Sequence, residues 1–241
     1  MQRWREARRD PAFALLEGLH PLKHALRFGA SIEAAWTSEP GRIKALAAKL
    51  APDVAEGIGA LLRPVSTAAL AGIASAPLRS PVVALARRPA PGPDPLAGEG
   101  RAPFVFLEAP THLGNVGAAV RAAAAAGAGG LLTTGPHDPW HPAALRGSAG
   151  LHFALPVRRV AGPADTARPL VAFDPGGEPL RFGAIPDGAV LLFGTERGGL
   201  SPLLKARAGR RLALPMRPGV SSLNLATAVA VALYAWRLGR P

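Results

Sequence analysis

Short apolar runs alternate with stretches of helical period along most of this chain. In the second half, APFVFLEA, GLLTTG, RPLVAFD, AVLLFG and RLALP read as buried strands. NVGAAVRAAAAAGAG reads as a helix ending at Gly127 or Gly129, where glycine commonly terminates helices. HPAALRGSAG reads as a short helix that tolerates Pro142 in its first turn. SSLNLATAVAVALYAWRL reads as the last helix, with Ser221 or Ser222 able to cap it. Buried strands alternating with helices predict an α/β fold with a mostly parallel sheet. The first 86 residues are a looser mixture. FALLEGLHPLKHALRFG has helical spacing, SIEAAWTS suits a strand, and GRIKALAAKLA and STAALAGIA suit helices. SPVVALARR reads as a closing strand, which completes a small α/β unit.

Between the two lies RRPAPGPDPLAGEGRAP. Its prolines Pro89, Pro91, Pro93, Pro95 and Pro103 lack an N–H for a sheet ladder. The expected organisation is residues 1–86 as an N-terminal unit, 87–102 as a linker and 103–241 as the main domain.

Composition narrows the function classes. A hydrophobic fraction of 49% with 18% charged residues suits a packed core rather than a disordered chain. The formal net charge of +12 favours an anionic partner, nucleic acid first. The cations are mostly Arg, which suits bidentate phosphate contacts; Lys23, Lys44, Lys49 and Lys205 are the only lysines. The chain has no cysteine, which excludes disulfides, cysteine zinc sites and thiol nucleophiles. MQRWREARRD lacks the apolar segment of a signal peptide. LNLATAVAVALYAWRL is too short to span a bilayer. A cytoplasmic protein with no membrane partner is expected. His20 and His24 stand four apart on a helix but have no companion ligands, so no metal is expected.

Three clusters of polar and glycine residues each follow a strand-like run. THLGNVGAAVRAA carries Asn115, flanked by Gly114 and Gly117, and then Arg121. FGTERGGL places Glu196 and Arg197 in a bed of glycine. LPMRPGVSSLNLATA places Asn224 in the first turn of an apolar helix, where it weakens the helix slightly. Taken singly, each has a plain structural reading: a solvated arginine, a carboxylate answering a helix dipole, an ordinary cap. Parallel sheets bind ligands at the carboxyl ends of their strands, so the three are expected on one rim. The dinucleotide fingerprint and the P-loop are both absent.

In order and spacing, these stretches resemble the three signature motifs of the SpoU/TrmH RNA 2′-O-methyltransferases, within the SPOUT superfamily. NVGAAVR is similar to the first motif, FGTERGGL to the second and LPMRPGVSSLNLATA to the third, and LRGSAGLHFALPV resembles a further family stretch. LLEGLHPLKHALRFGA more loosely resembles a ribosomal-protein-like RNA-binding domain carried by many members. PLRSPVVALA lacks the His-Gln-Gly often found nearby in relatives.

The resemblance implies a deep trefoil knot in the C-terminal domain, an exception to unknotted topology. It also implies homodimerisation through that domain, with S-adenosylmethionine as cofactor. Gly194, Leu214, Leu223, Phe193 and Met216 would bind the cofactor. Arg121, Asn115, Glu196, Ser222 and Asn224 would form the catalytic group. The implied substrate is a ribose 2′-OH of RNA, ribosomal ahead of transfer RNA. Arg121 stays protonated at neutral pH, so phosphate binding and support of a developing alkoxide suit it better than general-base duty. His112 is the alternative base, with a surface histidine the plainer reading. The rival functions are a dinucleotide-binding enzyme and a non-catalytic RNA binder of the same fold.

Overall fold

The computed structural model describes residues 10–90, 92–162 and 166–239. Most of the charged N-terminal stretch, residues 1–9, and Pro91 of the proline-rich segment lie outside them. The chain forms two compact units.

The first unit holds residues 10–90 together with Trp140–Ala154. Its sheet contains β1 (Phe13–Glu17), β2 (Ile32–Thr37), β3 (Leu62–Pro64) and β4 (Val82–Arg87), in the order β1-β4-β2-β3. β4 is antiparallel to both neighbours, and β2 and β3 run parallel. Around it lie α1 (Leu19–Arg27), α2 (Pro40–Leu50), α3 (Ala55–Leu61) and α4 (Thr67–Ile73). Leu15, Leu70, Ile73 and Val83 form a buried cluster with Trp36 packed against it.

The helical spacing of FALLEGLHPLKHALRFG does not hold throughout. Residues 13–17 are strand β1, and the helix begins only at Leu19. Gly18, at φ 98°, turns the chain between them in a conformation costly for any residue with a Cβ. α3 and β3 carry no periodicity long enough to be read in advance.

The second unit is a six-stranded, wholly parallel sheet. Its strands are β5 (Phe104–Leu107), β6 (Gly130–Thr133), β7 (Val157–Arg159), β8 (Leu170–Pro179), β9 (Val190–Phe193) and β10 (Arg210–Ala213), ordered β10-β8-β9-β5-β6-β7. Fully buried runs such as Val190–Phe193 are what a sheet covered on both faces requires. α5 (Leu113–Ala126) and α8 (Leu225–Leu238) pack on one another, and Arg237 donates to the carbonyl of Ala126 at 2.8 Å. α7 (Pro202–Arg207) follows β9. No helix among the described residues is long and apolar enough to cross a membrane.

Two features differ from the sequence expectation. The segment expected as a linker is, over residues 92–103, strapped to the second unit. Leu96 is buried in the core with Phe104 and Leu192. Arg168 donates to the carbonyls of Leu96 (3.0 Å), Gly100 (3.0 Å), Gly188 (2.9 Å) and Gly98, and lies over the ring of Phe104. Arg158 holds Gly92 and Pro93 in the same way. A Pro/Gly segment leaves carbonyls without ladder partners, and planar guanidinium groups supply the donors.

The second feature is α6 (Pro142–Gly147). It falls inside the stretch expected as the main domain, yet it belongs to the first unit. Arg146 pairs there with Glu17, whose side chain is fully buried and also accepts from the Ser75 hydroxyl at 2.9 Å.

Candidate functional site

β9 lies between β5 and β8, with β10 beyond β8, and the loops that follow β5, β9 and β10, together with β8, enclose a cleft of about 720 Å³. Its lining draws on all three polar–glycine clusters.

The loop after β9 is closed on itself. Thr195 and Gly199 exchange backbone hydrogen bonds at 3.0 and 3.1 Å, and the Gly198 N–H donates to Thr195 Oγ1 at 2.9 Å. Gly194 permits this closure: a Cβ there would stand 1.9 Å from the Gly199 carbonyl carbon. No side chain fits at that crossing.

Glu196 reaches from this loop to the start of α5. Its carboxylate accepts from the Thr111 N–H (3.1 Å), the Thr111 hydroxyl (2.8 Å), the His112 N–H (3.2 Å) and Asn115 Nδ2 (3.0 Å). The side chain of His112, at the N-cap position, makes no capping bond. The carboxylate therefore pins the two residues that lead into α5 and sets a negative charge at its N-terminus, from 84 residues further along the chain. Burial pushes the Glu196 carboxyl upward, but the donors from Asn115, Thr111 and its own backbone outweigh this and hold it at about 2.

Asn115 passes the connection on. Asn224 Nδ2 donates to Asn115 Oδ1 at 3.0 Å, and Asn224 Oδ1 accepts from the N–H groups of Ala226 (2.9 Å) and Thr227 (3.4 Å). Asn224 is thus the N-cap of α8, not a first-turn residue, and it displaces Ser221 and Ser222 from the expected capping role. Both serines line the cleft.

All five residues expected to hold a cofactor, Phe193, Gly194, Leu214, Met216 and Leu223, line the cleft. So do Asn115, Glu196, Ser222 and Asn224 of the expected catalytic group. Arg121 does not. It is exposed on α5, six residues past Asn115 and about 120° around the helix from it. His112 lines the cleft, with its backbone engaged by Glu196. His20 and His24 lie on α1 in the first unit, where His24 Nδ1 contacts the carbonyl oxygen of Ala149 at 2.7 Å.

Sequence reasoning passed over several lining residues. Phe173 stacks on Phe193, with ring centroids 4.7 Å apart. Asp174 pairs with Lys205 at 2.5 Å, and that hydrogen bond, together with the Gly176 N–H, holds its carboxyl below the usual range despite burial. Glu108, just past β5 and not itself in the lining, accepts from the Ser201 N–H at 2.7 Å and so ties down the far end of the β9 loop. The one available signal was position: each stands at or just past the end of an apolar run.

Residues 102–234 match the model of the SpoU rRNA Methylase family. The chain belongs to that family. Among curated relatives, it is 33% identical over 144 residues to the 23S rRNA (uridine(2479)-2'-O)-methyltransferase of Streptomyces viridochromogenes, covering 54% of this chain and 50% of that one. It is 28% identical over 242 residues to the 23S rRNA (adenosine(1067)-2'-O)-methyltransferase of Streptomyces laurentii, covering 91% and 84%. In the first of these the match spans about half the relative's length. Among solved structures, this SpoU member superposes on the SpoU methyltransferase AviRb of Streptomyces viridochromogenes, a complex with AdoMet. The TM-score is 0.78 at 26% identity, with 97% of this chain and 95% of that one covered. A structure described as an RNA 2'-O ribose methyltransferase gives 0.78 at 28% identity, covering 98% and 92%.

Proposed function

We propose that this chain is an S-adenosylmethionine-dependent RNA methyltransferase acting on a ribose 2′-OH. The observation that carries this reading is the network Glu196–Asn115–Asn224, which joins the three motifs at the rim of one cleft. The cleft suits the cofactor. Its volume of about 720 Å³ lies within the usual range for small-molecule sites. Phe193, Leu214, Met216 and Leu223 offer apolar walls for an adenosyl group, and the bare backbone at Gly194 allows close approach. Bound there, S-adenosylmethionine would supply an electrophilic methyl group on a sulfonium.

The protein's share of the work is placement. Orienting two reactants contributes up to ~7–11 kcal/mol in favourable cases. Glu196 fixes the start of α5, Asn115 and Asn224 fix the turn into α8, and Ser222 stands at the rim for the ribose. Arg121, exposed on α5, binds a phosphate of the target and steadies the charge that grows on the ribose oxygen.

The trefoil knot belongs to the same reading. It is supported by the strand order, in which the chain leaves β5 for β6 and β7 on one side, crosses to β8 on the other and then inserts β9 between β8 and β5, and by the meeting of loops 194–199 and 214–224 at one cleft. So does a homodimer through the second unit. Thr227, Val231, Tyr234 and Leu238 form an exposed stripe along α8, with Val231, Tyr234 and Leu238 at 42%, 40% and 70% exposure. The first unit would read RNA, ribosomal RNA ahead of transfer RNA, in the cytoplasm; the net charge of +12 and the rRNA-modifying relatives support this.

Calorimetric titration with S-adenosylmethionine, and with NAD in parallel, tests the proposal. Saturable binding of the former alone, near one per chain, is the expected result. NAD binding, or no binding of S-adenosylmethionine with or without RNA, overturns it.

A further inference from the structure

Among the described residues, five ionisable side chains line the cleft: His112, Asp174, Glu196, Arg197 and Lys205. Their formal charges balance, but their pairing does not. Asp174 and Lys205 hold each other at 2.5 Å. Glu196 is occupied by donors from Thr111, His112 and Asn115. Arg197 is exposed and makes no ion pair among the described residues. Its neighbour Glu196 points its oxygens at another segment. The loop that carries Arg197 is braced on both sides, by the Thr195–Gly199 bonds and by Gly198 N–H to Thr195 Oγ1. Its backbone is therefore held at the rim, while the guanidinium has no ion-pair partner among the described residues.

We infer that Arg197 grips a phosphodiester of the RNA at the mouth of the cleft and sets the register of the strand whose ribose enters it. This rests on the methyltransferase reading. An exposed fork at a loop tip meets a polyanion arriving from solvent, and a guanidinium binds phosphate through two parallel hydrogen bonds. Phosphate contacts of this kind position the nucleic acid without reading its bases. The apolar walls expected to hold the cofactor are different residues, Leu214, Met216 and Leu223.

The test compares Arg197→Gln with Arg181→Gln, which removes an equal charge from an exposed residue outside the cleft. The probe is a fluorescein-labelled, mixed-sequence RNA hairpin with a single-stranded loop. Its binding is followed by anisotropy over a series of salt concentrations. The expected result is a several-fold loss of affinity for Arg197→Gln and a salt slope shallower by ~0.7–0.9, with Arg181→Gln close to wild type. Calorimetry should show unchanged S-adenosylmethionine affinity in both. Equal effects of the two variants, or no effect of either, overturn the inference. Lost cofactor affinity with intact RNA binding overturns it too, and assigns the guanidinium to the cofactor's carboxylate. A wild-type chain that binds no S-adenosylmethionine sinks the methyltransferase reading instead, and the anisotropy comparison still decides Arg197.

Discussion

Asn224 donates to Asn115 at 3.0 Å across 109 positions of sequence, and the direction of that bond is dictated by Glu196. A carboxylate only accepts. Asn115 must therefore turn its NH₂ toward Glu196 and its oxygen toward Asn224. Asn224 must then donate with its NH₂, which leaves its own oxygen for the N–H groups of Ala226 and Thr227. One negative charge orders two amides and a helix start.

Asn115→Asp tests that order. It sets a second carboxylate against Glu196 and leaves Asn224 donating to a charge that repels its neighbour. Hydrogen bonds to charged groups are worth ~1.5–3 kcal/mol. S-Adenosylmethionine affinity is expected to fall about 10- to 100-fold, since 1.4 kcal/mol is a factor of ten. Calorimetry reads this directly, and an unchanged Kd would show that the cleft does not depend on the network.

Acid should undo the same latch. The Glu196 carboxyl sits at about 2 in the folded chain against an ordinary 4.5. A depressed carboxyl gives stability that is complete above the unfolded value and is lost as pH falls toward the folded one. The measurement is the urea midpoint of wild type and Glu196→Gln from neutral pH down to about pH 3. The gap between them is expected to stay constant down to about pH 5 and to narrow below about 4.5. Asp174, also depressed, is common to both proteins and cancels. A gap that widens in acid would contradict the assignment.

The motif half of the fold was legible because its strands are short, wholly apolar and punctuated by polar–glycine turns. The loops that follow β5, β9 and β10 share one end of a parallel sheet, and there Asn115, Glu196 and Asn224 meet. Two things were hidden for different reasons. The spacing of Leu15, Leu16, Leu19 and Leu22 satisfies a helical template, so only the conformation of Gly18 reveals that Leu15 and Leu16 belong to a strand. Glu17 and Arg146 lie 129 positions apart, and no local pattern announces that a segment after β6 completes the first unit. In the sequence Asn224 is a mild liability, because two serines precede it; the helix starts later than they do, and the liability is the cap.

Arg146 should matter to stability more than its place beside a signature stretch suggests. It answers Glu17, whose side chain has no exposure to water. Breaking a buried pair by removing one partner costs ~3–5 kcal/mol, because the other charge is stranded. Arg146→Ala is expected near the lower figure, since the guanidinium itself is 35% exposed and Ser75 remains as a donor. Glu17→Gln combined with Arg146→Met should recover part of the loss. Denaturant unfolding followed at Trp36 and Trp140, both in the first unit, reports it. A single variant as stable as wild type would show that the pair carries no weight.

Arg121 poses the sharpest separation of binding from chemistry. It lies outside the cleft lining, so removing it should leave the walls at Leu214, Met216 and Leu223 intact. Arg121→Ala is therefore expected to bind S-adenosylmethionine with wild-type affinity. Its methyl transfer to unmodified ribosomal RNA should fall at least about 100-fold, the scale of losing a group that stabilises charge only in the transition state. Arg121→Lys keeps the charge but not the fork and should recover a fraction of that rate. The loss should appear in kcat rather than KM. A rise in KM alone would make Arg121 a simple phosphate anchor, and full activity in the alanine variant would remove it from the site altogether.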